Sequence, residues 1–188
     1  MFKKNTFGPS GELAKVDLGG NECSLETSLS LLPAQTALTA ITTAQTLMSL
    51  AFLAGAFGKV GRALRVSGMV IFTVSTGTPT TTIAIKLGTV TLFTVTTAAL
   101  AASTNGQLTF DCLLNVVATG SSGTVEAHGT VKAQLSTALG TAIAEYADQS
   151  VAVSAVDLTK ALTLAVSIAA STAMASAQLR QGFIEVVN

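Results

Sequence analysis

The sequence predicts an all-β fold, an antiparallel β-sandwich of jelly-roll type preceded by an extended N-terminal arm, and three observations carry that expectation. From about residue 63 to the C-terminus apolar and polar residues alternate with the two-residue period of half-buried strands. The alternating segments break at Gly, Ser, Asn or Pro every ten to fifteen residues or so, the rhythm of a two-sheet sandwich. The alternating residues are rich in Thr, Ala and Val and almost none of them is charged, a vocabulary suited to sheet surface.

Residues 1–36 differ from the rest. Gly8, Pro9, Gly11, Gly19, Gly20 and Pro33 interrupt them, charges crowd the first twenty positions, and no period is sustained. They are expected to form an extended arm, of the kind that gains structure by lying on a neighbour. The sandwich is expected over 37–188.

From Ala37 to Leu53 the sequence reads either way. Ala, Leu and Met favour a helix, whereas Thr39, Ile41, Thr42, Thr43 and Thr46 are β-branched and tilt the reading to strand. Gly55, Gly58 and Gly61 then mark a loop. The clearest strand follows: Leu64, Val66, Gly68, Val70, Phe72 and Val74 share one face, opposite Arg65, Ser67, Met69, Ile71 and Thr73. Gly68 in mid-strand predicts a bulge or bend. Ser75 to Pro79 is a turn, and Ile83, Ile85 and Leu87 form the inner face of the next strand. Gly88-Thr89 breaks the chain tightly, so Val90 to Thr96 returns as its hairpin partner.

Ala98 to Ala102 reads as a helical or irregular link. Ser103-Thr104-Asn105-Gly106 is expected to turn, because Asn-Gly supplies positive φ. A long strand over 107–118 points Leu108, Phe110, Cys112, Leu114 and Val116 inward. After a turn at 119–123, Val125, Ala127, Gly129, Val131 and Ala133 oppose Thr124, Glu126, His128, Thr130 and Lys132. Residues 134–149 are Ala-rich and read as weak helix or long connection. Val151 to Val156, then Leu162, Leu164, Val166 and Ile168, then Met174 to Val187 supply the last strands.

Only 11% of the residues are charged, less than half the ~25% usual for a soluble domain. Either a bilayer or other subunits must cover so apolar a chain. The best spanning candidate, Leu47 to Phe57, is about half the ~20 residues that a membrane helix needs, so no membrane partner is expected. The N-terminus starts basic with Lys3 and Lys4 but lacks the apolar core of a signal peptide. Net charge is zero, and Lys3/Lys4 and Lys59/Arg62/Arg65 are the only basic groupings, so no nucleic-acid partner is expected.

Chemistry-bearing residues are sparse. His128, the single histidine, lies mid-strand on the polar side and reads as a surface residue. Cys23 and Cys112 are far apart, with Cys112 on core parity, and read as free thiols. Asp111, Asp148 and Asp157 are scattered, with no calcium-loop spacing. Glu126 and Asp111 are candidate cross-strand neighbours, but exposed strand faces need a few charges against edge aggregation, so both read as surface residues. The Gly55/Gly58/Gly61 spacing precedes a basic strand and not a helix N-terminus, so it is no phosphate loop. No catalytic, cofactor-binding or metal-binding residue is assigned, and no enzyme activity or cofactor is expected.

At this point the chain resembles a known family. The run Thr42-Thr43-Ala44-Gln45-Thr46-Leu47-Met48-Ser49, then Ala54-Gly55-Ala56-Phe57-Gly58-Lys59-Val60-Gly61, then Ala63-Leu64-Arg65-Val66-Ser67-Gly68 is similar to a pattern of tailed-bacteriophage virion proteins. There a "TTAETLL" stretch leads through "PAGTLxVGxTLRVxxxG" into Thr-rich strands. Thr80 to Gly88 resembles that family's "TPTLTLKLRLGG", and Arg180 to Glu185 its final strand. The resemblance spans roughly residues 42–188. This chain has Leu53-Ala54-Gly55 where the pattern has Pro-Ala-Gly, and 134–149 has no clear counterpart.

The resemblance implies a virion structural protein, made in the host cytoplasm and carried on the capsid surface. The expected role is a capsid cement or decoration protein that binds and stabilises the assembled shell through its arm and sheet surfaces. Its partners would be the major capsid protein and itself, as a homotrimer. The alternative is a tail or head fibre module contacting the host surface; the short Thr/Ser/Gly/Asn loops favour the first.

Overall fold

In the computed structural model, residues 30–32, 36–135 and 143–187 are described. They form eleven strands: β1 (Ser30–Leu32), β2 (Leu38–Ile41), β3 (Gln45–Phe52), β4 (Ala63–Val74), β5 (Thr81–Leu87), β6 (Val90–Thr96), β7 (Ser103–Ala118), β8 (Gly123–Gln134), β9 (Ile143–Val156), β10 (Leu162–Ala170) and β11 (Met174–Val186). All pairings among them are antiparallel. No helix of the described residues is long and apolar enough to cross a membrane.

The strands make two sheets. A seven-stranded sheet runs β1-β11-β4-β7-β8-β9, with β2 also on the β11 edge, and a four-stranded sheet runs β3-β10-β5-β6. If the hairpin β8–β9 is set aside, β2-β11-β4-β7 faces β3-β10-β5-β6, and the chain crosses between sheets at β2→β3, β3→β4, β4→β5, β6→β7, β7→β10 and β10→β11. That is jelly-roll order, eight strands in two sheets with the first paired to the last. The expected fold class is therefore what the chain adopts, with β8–β9 widening one sheet beyond the usual eight strands.

Alternation builds the core. Val66, Val70 and Phe72 of β4 and Leu108, Phe110 and Leu114 of β7 meet Ile83 and Ile85 of β5 and Val166 and Ile168 of β10, all buried. Facing sheets lie about 10 Å apart, so one side of every strand must be apolar, as these strands are. Cys112 is buried among these side chains, on the expected parity. Beyond β7, the inner face of β8 (Val125, Ala127, Val131, Ala133) is also buried. There the segment after β6 closes the sandwich: the Ala98 amide donates to Tyr146 Oη of β9 at 2.8 Å, and the Ala101 amide donates to the Leu135 carbonyl at 3.2 Å.

Residues 37–53 resolve to strand, as β2 and β3 with a break at 42–44. Four expectations need correction. Ser103 to Gly106 is not a turn but the start of β7. Asn105 does take positive φ (64°), at an irregularity where β7 shifts register against Phe72 and Val74 of β4. A bulge needs the same backbone conformation as a turn, so Asn-Gly signals both. Of the stretch 134–149, neither weak helix nor loop is seen where it is described; residues 143–149 belong to β9, paired to β8 from Gln134↔Ile143 onward.

Gly68 does not bulge β4 against β7. It lies opposite Phe110, and the nearby irregularity belongs to β11, between Leu179 and Gln181. Finally, Ser30–Leu32, within the stretch expected to be arm, pair with Gly182–Ile184. The rest of the expected arm, apart from Thr36 (residues 1–29 and 33–35), lies outside the described residues, as do Lys3, Lys4 and Cys23.

Candidate functional site

The outer face of the four-stranded sheet follows from its ladders. Across it run the rows Ala51–Thr163, Ser49–Ala165–Lys86–Thr91, Thr46–Ser167–Ala84–Thr94 and Ala169–Thr82–Thr96. Twelve of these thirteen side chains are Thr, Ser or Ala, and Lys86 is the only charge. Thr82 and Thr96 satisfy each other across the strands, Oγ1 to Oγ1 at 2.8 Å. Such a face carries almost only short side chains, which lose little rotamer freedom when another surface covers it.

The outer face of the seven-stranded sheet is different, because it carries more charges and several of them are paired. Arg65 on β4 donates Nε and Nη2 to Oδ1 and Oδ2 of Asp111 on β7 at 3.0 and 2.6 Å, a bidentate fork. That hydrogen bond, then the Asp111 charge, raises the Arg65 pKa. Lys132 on β8 meets Glu145 on β9 at 3.3 Å. His128 Nε2 lies 4.0 Å from Glu126 Oε2 two residues along the same strand, with the imidazole about half exposed. An open dish of about 460 Å³ lies near the Arg65–Asp111 pair, lined in part by Met69, Thr109, Asp111, Lys132 and Phe183.

The candidate carboxylate pair, Glu126 and Asp111, does not form. Glu126 lies opposite Asn115, and Asp111 opposite Thr130, so four residues of strand (roughly 13 Å) separate them. Asp111 is committed to Arg65. Asp157 is held by its own turn: Oδ1 accepts from the Thr159 amide at 3.2 Å and from its hydroxyl at 2.5 Å, and Oδ2 meets Lys160 Nζ at 2.9 Å. The Thr159 hydroxyl, then Lys160, lowers its pKa. Asp148's side chain lies outside the described residues. Among the described residues no three His, Cys, Asp or Glu side chains come together as a metal site would require.

The glycine loop predicted at 55–61 is ordered by its own contacts. Gly58 donates its amide to the Gly55 carbonyl at 2.9 Å, Gly61 to the Val116 carbonyl at 2.7 Å, and Arg62 Nη1 to the Ala56 carbonyl. The Phe57 ring is buried, 5.0 Å from the Phe52 ring. Gly55 and Gly61 both take positive φ (79° and 80°), which explains glycine at these two turns. This loop lifts Leu53 (84% exposed) and Val60 (58%) into solvent. Beside it the Val187 amide donates to the Ala63 carbonyl and the Val116 amide to the Arg62 carbonyl, which brings exposed Val187 and Val117 to the same end of the sandwich. Sequence reasoning missed this cluster because its four members are scattered along the chain and only backbone pairing collects them.

Fold and surfaces together define a jelly-roll sandwich with charge-poor or charge-paired sheet faces and one apolar end. No protein-family model matches the chain, and no curated protein matches it. Among solved structures it is similar to the structure of the infectious bursal disease virus Gt strain, with a TM-score of 0.41 and 14% identity over 96% of this chain and 39% of that one. It is likewise similar to T=1 particles derived from that virus, with a TM-score of 0.40 and 14% identity over 92% of this chain and 36% of that one. The chain thus spans well under half the length of either structure's chain.

Proposed function

We propose that this chain is a bacteriophage virion structural protein, a capsid cement or decoration protein that binds and stabilises the assembled shell through its N-terminal arm and sheet surfaces. The observation that carries the reading is the outer face of the four-stranded sheet, made of Thr, Ser and Ala apart from Lys86. Covering it desolvates almost no charge, the dominant cost of burying a polar surface. An interface of standard size, about 1,600 Å², then gains from apolar contact at ~25 cal/mol per Å² without needing chemistry. The resemblance of residues 42–188 to phage virion proteins supports the same role, with the major capsid protein as partner and a homotrimer as the bound form.

The test is co-sedimentation of the purified protein with expanded, undecorated capsids, with light scattering on the free protein. Saturable binding in a fixed ratio to capsomers is expected, together with loss of binding when residues 1–29 are removed and β1 is kept. A stable free oligomer that never binds shells would overturn the cement role in favour of a fibre module contacting the host surface. Full binding by the truncated chain would overturn the arm's part in it.

A further inference from the structure

The apolar end formed by Leu53, Val60, Val117 and Val187 is held by backbone hydrogen bonds from three strand ends and the glycine loop, so it is exposed by construction. Its charges are of both signs, with two cations in the loop. Lys59 and Arg62 sit in the loop, Lys160 is beside Asp157, and Glu185 is close enough to Arg65 to raise its pKa. A grouping of large exposed apolar side chains rimmed by charge marks a contact surface.

The path of the chain indicates what covers it. β1 runs antiparallel to β11 with Ser30 opposite Ile184, so the N-terminal end of β1 lies at the end of the sandwich that carries Val187, three residues beyond Ile184. That distance is roughly 10 Å. Residues 10–29 carry Leu13, Val16, Leu18, Leu25 and Leu29 together with Glu12, Asp17, Glu22 and Glu26, against a single Lys15. Twenty residues reach up to ~66 Å when extended, more than enough to cross this end. The segment thus carries apolar side chains to match the patch and acidic ones to match Lys59, within reach of this end.

We infer that residues 10–29 of the same polypeptide dock on the Leu53/Val60/Val117/Val187 end in the free protein. The inference is independent of the capsid reading, since it concerns the chain before any partner is met. The docked segment buries its own apolar residues against this end, and Glu and Asp side chains meet Lys59.

A photo-crosslinking residue placed at position 60 of the full-length protein tests this, in a mixture of ¹⁵N-labelled and unlabelled chains. Cross-links to peptides within 10–29 that never mix the two isotopes are expected. Mixed-isotope cross-links would overturn the inference in favour of a second copy, and cross-links elsewhere, or none, would overturn it outright. An independent readout is limited trypsin digestion after Lys15, with cleavage after Lys4 as the internal reference. Val60→Asp should speed the Lys15 cut roughly tenfold relative to Lys4, because cleavage follows the undocked fraction. Ile143→Asp, at the exposed apolar position on the opposite end, should leave the ratio unchanged. Equal ratios in all three proteins would overturn docking.

Discussion

Gly68 of β4 lies directly opposite Phe110 of β7, and a Cβ on Gly68 would stand 2.5 Å from the tip of the Phe110 ring. The same ladder repeats the arrangement in reverse. Phe72 of β4 lies opposite Gly106 of β7, where a Cβ would again stand 2.5 Å from the ring. Each glycine leaves the floor on which its partner's ring lies flat, so two phenyl groups fill the core without forcing the sheets apart.

Replacing either glycine with alanine overpacks the centre of the sandwich. Gly68→Ala and Gly106→Ala should each cost about 1–3 kcal/mol. For a chain of this size the melting midpoint should fall by roughly 2–4 °C per kcal/mol. The two sites are four residues apart along each strand, roughly 13 Å, so the double variant should lose close to the sum. Thermal unfolding of the three variants measures this, and an unchanged midpoint for Gly68→Ala would show that the Phe110 ring has room to move.

Asn105 sits exposed in the left-handed region at the irregular start of β7. Asn105→Val should cost about 1–2 kcal/mol, the penalty a branched side chain incurs there. Asn105→Gly should keep or slightly raise stability, because glycine meets no such penalty. Chemical denaturation separates the two, and equal stabilities would contradict the assigned conformation.

How much was legible in the sequence depended on side-chain size. β4, β5, β7, β8 and β10 set large apolar residues against polar ones, and their inward positions were readable from the alternation alone. In β9 the same period is written with Ala144, Glu145, Tyr146 and Ala147, and Ala-rich composition suggested helix or loop instead. What holds that stretch is tertiary, the long β8 ladder and the Tyr146 hydroxyl on Ala98. β1 is three residues long and exists only because β11 offers an edge. The Arg65–Asp111 fork was hidden for a like reason: the residues are 46 positions apart and only the β4–β7 register joins them.

Asp157 should make stability depend on pH on the acid side. Its folded-state pKa lies below the ordinary carboxylate value, through the Thr159 hydroxyl and then Lys160. The carboxylate therefore stabilises the fold above the unfolded-state pKa, and that contribution fades as pH falls through the folded-state value. The gap in melting midpoint between the native protein and Asp157→Ala should be full near neutrality and close under acid. A gap that is constant, or that grows in acid, would show that the Asp157 turn is held by something other than its charge.

Thr81 is fully buried at the start of β5, and its Oγ1 has no hydrogen-bond partner among the described residues. Its backbone is well served, with the amide donating to Thr97 Oγ1 at 3.1 Å and the carbonyl accepting from the Thr97 amide at 2.8 Å. The hydroxyl alone is left over, packed on the inner face in line with Ile83 and Ile85. Burying a hydroxyl without a partner costs roughly 1–3 kcal/mol. Thr81→Val keeps the branched shape and removes the stranded oxygen, so it should stabilise the protein by about 1 kcal/mol and raise the melting midpoint by roughly 2–4 °C. Thr97→Val is the contrasting variant, because the Thr97 hydroxyl accepts from the Thr81 amide and donates to the Ala98 carbonyl at 2.8 Å, and its loss should lower the midpoint. A fall in both variants would mean that the Thr81 hydroxyl is satisfied after all.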